Sequence, residues 1–122
     1  MLAEILVMHP SDFDRWVQAD CTLLQPTTGS EWGEMLFSQR GCAACHARTA
    51  DAPELDGPSL HGLFGRLTSL RDGETVVIDE AYVRESILEP QVRVTSGYES
   101  TMPHLPVSEE ELDGLIAYLR TL

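Results

Sequence analysis

The run Cys42-Ala43-Ala44-Cys45-His46 constrains this chain more than any other segment. Its C-x-x-C-H spacing is the one by which a c-type haem is attached. Two thiols three positions apart can add across the two vinyl groups of one porphyrin, and a histidine next to the second thiol is held beneath the iron as its proximal ligand. A zinc half-site and a thioredoxin-like dithiol also use C-x-x-C. Zinc, however, wants a second ligand pair at short spacing, and the only other cysteine, Cys21, stands alone. The run therefore predicts one covalently bound haem c, with His46 as an iron ligand.

An iron with one protein ligand needs a second if it is to carry electrons rather than bind gas. Working outward from the motif, Met102 is the best placed. It sits in Thr101-Met102-Pro103, where the proline denies the segment a helix and leaves a loop able to fold back over the haem. The other methionines have simpler readings: Met35 in a helical pattern, Met8 in an apolar strand-like run, Met1 as a start residue. His61, His104 and His9 remain alternatives, His104 foremost because it shares the Met102 loop. Ligation by His and Met raises a reduction potential; ligation by two histidines lowers it.

A chain of 122 residues is too short for two independent cores but adequate for one domain packed on a large flat apolar group. Its formal charge is −12, which argues against nucleic acid or anionic lipid as partner and favours partners with a basic patch or an apolar haem edge. All eight basic residues are arginine, so docking through a ring of lysines is impossible. No apolar run approaches a membrane span, and Met1-Leu2-Ala3-Glu4 lacks the basic start of a secretion signal. Covalent haem attachment nevertheless takes place on the outer side of the bacterial membrane. The chain is accordingly expected to be a mature or truncated piece with a periplasmic address, and Cys21 to be a small buried thiol.

Along the chain, residues 1–29 read as an extension: a β-prone run from Ala3 to His9, a short helix capped by Ser11 over residues 12–17, then a linker over residues 20–29. The haem domain is expected over residues 30–122. Ser30 would cap a helix carrying Trp32, Gly33, Leu36 and Phe37, ended by Gly41. Residues 51–65 are rich in Pro and Gly and suit a loop around the haem edge. Asp72-Gly73 predicts a hairpin with a type I′ turn. Asp79 opens a helix striped with Tyr82, Val83, Ile87 and Leu88 and stopped by Pro90. Ser108-Glu109-Glu110-Glu111 is a capping box for the last helix, with Leu112, Leu115, Ile116 and Leu119 at helical spacing. Its adjacent acids read as capping and solvation, not catalysis.

Gly33 and Phe37, the haem motif, Gly57-Pro-Ser-Leu-His-Gly-Leu-Phe-Gly-Arg66, Met102-Pro103, and Leu115 with Tyr118 together resemble class I cytochrome c, over roughly residues 30 to 122. The resemblance implies a mainly α fold around one haem. It would set Gly33 and Phe37 against Leu115 and Tyr118 where the first and last helices cross. It would also make the Pro58 carbonyl the acceptor for the His46 ring, leave His61 on the surface, and place Arg66 near a haem propionate; otherwise Arg66 is an ordinary surface arginine of the hairpin.

A narrower resemblance covers the Asp-Gly hairpin, the segment from Asp79 to Pro90 and that from Gly97 to Met102. These look like the cytochrome c domain fused to subunit II of caa3-type oxidases, which also puts Tyr98 among the cofactor-contacting residues. The stretch Ile5-Leu-Val-Met-His-Pro10-Ser-Asp-Phe13-Asp-Arg-Trp16 resembles the end of the dicopper domain that precedes it. The implied partners are that dicopper domain and a soluble or membrane-bound electron donor, with membrane contact only through the parent complex. The copper ligands would lie upstream, so this fragment is expected to bind no copper. A free periplasmic shuttle is the alternative.

Overall fold

The computed structural model describes residues 29–122. The strand and helix expected before residue 20, the linker up to residue 28, and Cys21 lie outside the described residues. The elements are α1 (Gly29–Gln39), a 3-10 turn (Cys42–Ala44), β1 (Leu67–Ser69), β2 (Thr75–Val77), α2 (Glu80–Leu88) and α3 (Glu109–Leu119). This is a mainly helical domain with one small antiparallel sheet.

α1 and α3 form the frame, and glycine sets their distance. A Cβ built on Gly33 would lie 1.9 Å from the Gly114 carbonyl oxygen and 2.7 Å from Tyr118 Cβ. Only hydrogen fits there, so the two backbones touch. One turn along, the Phe37 and Tyr118 rings meet with centroids 5.5 Å apart in a tilted arrangement. Leu36, Leu112, Leu115, Ile116 and Leu119 fill the seam; Leu63, Ile78 and Val83 bring the haem-side loop and α2 into the same core.

α1 begins at Gly29, so Ser30, expected as its cap, stands inside the first turn instead. A Cβ built on Gly29 would lie 3.7 Å from Ala117 Cβ, so the helix start sits close to α3; helix boundaries commonly differ from a capping signal by a residue. Its far end follows the expected route: Gly41 takes a left-handed φ of +78°, and its N–H donates to the Ser38 carbonyl. α2 is capped by Asp79, whose carboxylate accepts from the Tyr82 N–H at 2.8 Å. α3 carries the full capping box, Ser108 and Glu111 each accepting the other's backbone N–H.

The hairpin forms, with Leu67 opposite Val77 and Ser69 opposite Thr75. Its turn is not type I′. Leu70 and Glu74 still bond, leaving Arg71, Asp72 and Gly73 as the loop, and only Gly73 has positive φ, at +92°. Type I′ would require a left-handed Asp72 as well. The Asp72 carboxylate instead accepts from the Glu74 N–H at 2.9 Å, which favours the longer turn with a bulge at Gly73.

Candidate haem site

Gly41 turns the chain sharply off α1 into the 3-10 turn, where the Cys42 carbonyl accepts from both Cys45 N–H and His46 N–H. This tight wrap brings Cys42, Cys45 and His46 into the lining of a cleft of about 210 Å³. Pro58, Arg66, Tyr98 and Met102 line the same cleft, so every site residue expected from the sequence converges there. Phe37, Leu63, Ile78, Val83, Leu115 and Leu119 supply apolar walls. His61 and His104 are exposed and do not line it; His9 lies outside the described residues. Among the described residues, His46 is the one histidine on the cleft.

His46 is fixed by its neighbours. Its Nδ1–H donates to the Pro58 carbonyl at 2.8 Å, which leaves Nε2 as the free base, the atom needed on an iron. The Gly57 N–H donates to the Cys45 carbonyl at 2.8 Å and Leu60 N–H to Ala47 at 2.9 Å, pinning the loop after the motif back onto it. Gly57 is a cradle for the ring. A Cβ there would come within 2.6 Å of His46 Cε1 and 2.8 Å of its Nδ1.

Burial, partly offset by a backbone N–H and by Arg40, raises the pKa of the Cys42 thiol above its ordinary value. Arg66 donates to the Ser59 carbonyl at 2.7 Å and reaches the His61 carbonyl at 3.4 Å, so it ties down the loop while bordering the cleft. Arg40 and Arg93 also border it; Arg40 pairs with Glu111, and Arg93 with Glu85 at 3.3 Å. Sequence reasoning missed three features. Gly57 stood in the loop and in the stretch that carries the family resemblance, but nothing there marked it as the cradle of the His46 ring, and Gly114 was an unremarked glycine in a helix. Ser86, on α2, has a buried Oγ without a hydrogen-bond partner and borders the cleft. Nothing in a one-dimensional pattern marks it.

The residues fit a haem. Two thiols and a tautomer-fixed histidine share an apolar cleft whose cradle a Cβ would fill, and an orphaned hydroxyl borders it. The cytochrome c family model matches residues 30–122. This chain belongs to the cytochrome c family. Cytochrome c of Nigella damascena is 30% identical over 104 residues, covering 78% of this chain and 91% of that protein. Cytochrome c of Ginkgo biloba is 31% identical over 97 residues, 72% of this chain and 83% of that one. Cytochrome c2 of Rhodoblastus acidophilus is 36% identical over 96 residues, 71% and 86% of the two chains. The domain is thus an electron-transfer haem domain carrying covalent haem c, with Cys42, Cys45 and His46 as its attachment motif.

Proposed function

We propose that this cytochrome c domain receives electrons from a periplasmic donor and passes them to the dicopper centre of a caa3-type oxidase, with His46 and Met102 as the residues that would hold its iron. When bound, the haem supplies a one-electron couple between ferrous and ferric iron, so one electron enters and one leaves without bond exchange. His46 is pre-oriented by Pro58 and Gly57, so its nitrogen need not move between states. Met102 would supply the second iron ligand, a soft sulfur that suits the ferrous state. Arg66 and Tyr98 border the cleft, where Arg66 would pair with a haem propionate and Tyr98 would contact the haem edge.

The observation that carries the ligand set is the convergence of His46 and Met102 on one cleft that excludes His61 and His104. The oxidase assignment is supported by the hairpin, the segment from Asp79 to Pro90 and the Gly97 to Met102 stretch, which resemble the subunit II fusions rather than a minimal shuttle. The parent protein then sits at the outer face of the membrane; among the described residues no helix is long and apolar enough to cross one. Rapid mixing of the reduced domain with an oxidised dicopper domain tests the function. Fast electron delivery, slowed by salt, is expected. Failure at every ionic strength would overturn the oxidase reading and leave the free shuttle. A small haem protein without copper in native membrane extracts would point the same way.

A further inference from the structure

We infer that Arg71, at the hairpin turn, is a positioning residue that clasps the Met102 loop against the haem. The inference rests on the reading of Met102 as the sixth ligand. The hairpin is joined to the segment before Met102 at consecutive points. Leu70 bridges Thr95, the Arg71 N–H donates to the Val94 carbonyl at 2.9 Å, and the Ser96 N–H donates to the Ser69 carbonyl at 2.8 Å. A turn at Gly97 follows, with Tyr98 N–H donating to Thr95 at 3.2 Å. The Arg71 guanidinium then donates to the Tyr98 carbonyl at 2.5 Å and reaches the Glu99 carboxylate at 3.5 Å.

Beyond that point the loop loses its polar anchorage. Among the described residues, none from 99 to 107 makes a backbone–backbone hydrogen bond, and the next tie is the capping box at Ser108. Met102 therefore hangs between two anchors, and the nearer one is Arg71. Of its two contacts the carbonyl matters more. Glu99 is 87% exposed and its ion pair is screened, whereas a charge-assisted bond to a backbone oxygen fixes the chain itself. Arginine also presents several donors in a rigid fork, so a lysine at this position would hold the carbonyl less firmly.

A loosened loop exposes the iron more often, and a small ligand that binds only the opened form reads that fraction directly, because its apparent Kd is the intrinsic value divided by the open fraction. The test is a titration of the ferric holoprotein with imidazole, for wild type, R71A, R71K and E99Q. Loss of one charge-assisted bond predicts that R71A binds imidazole roughly tenfold more tightly, with R71K between it and wild type and E99Q close to wild type. Far-ultraviolet circular dichroism and haem stoichiometry should not change. If wild type shows the sulfur-to-iron near-infrared band and R71A still has an imidazole Kd within about twofold of wild type, the clasp is refuted while the Met102 assignment stands. If wild type lacks the band, the Met102 reading fails, and the clasp fails with it.

Discussion

His46 stands where it does because Gly57 lacks a side chain. The motif announces the histidine, but the residue that admits its ring lies eleven positions on, in a loop stretch that carries the family resemblance without marking the glycine's role. Gly57→Ala would push a carbon into the ring and displace it from the Pro58 carbonyl. We expect a loss of about 1–3 kcal/mol in stability, read by urea unfolding. The reduction potential should rise, because a histidine without its acceptor is a less basic ligand and favours ferric iron less. Gly33 is the sterner case. Its missing Cβ faces backbone, which cannot rotate away, so Gly33→Ala should cost about 3 kcal/mol or more in the same assay. Chemistry was legible in the residues because C-x-x-C-H and Met-Pro are local. Close approach between Gly33 and Gly114 was only half legible, since it depends on two helices distant in sequence.

Among the elements, the second and third helices start where their local capping signals put them. Asp79 and the Ser108 capping box work through residues three positions away, so sequence shows both partners. Ser108→Ala should cost about 1 kcal/mol, seen as a lower thermal midpoint. The carboxyl of Glu111 is held below the ordinary carboxylate range, first by the Ser108 N–H and then by Arg40. Its folded pKa is depressed, so its stabilisation is present above the unfolded-state value and disappears as pH falls through the folded one. Glu111→Gln should therefore flatten the loss of thermal stability between about pH 6 and about pH 3. A comparable slope in the variant would mean other carboxylates dominate. The hairpin turn went differently from its Asp-Gly signal, because the Asp72 side chain found a backbone donor and made a longer loop cheaper than a left-handed aspartate. The start of α1, at Gly29 close to α3, lies one residue before the Ser30 signal.

At the scale of the whole molecule, the α1–α3 crossing, the motif, α2, the hairpin and the Met102 loop all contribute residues to one cleft. A formal charge of −12 without lysine favours electron partners that carry a basic patch or that meet the domain at an apolar haem edge. We expect bimolecular reduction by a basic donor to slow by roughly tenfold from low to high salt, and an acidic donor to show the opposite trend. The account depends most on the haem being closed on both faces by this one chain, with Met102 as the second ligand. The near-infrared spectrum of the ferric holoprotein tests it directly in wild type, Met102→Ala and His104→Ala. The account predicts a sulfur-to-iron band in wild type and in His104→Ala, and none in Met102→Ala. A band that survives removal of Met102, or that is absent from wild type, would contradict it.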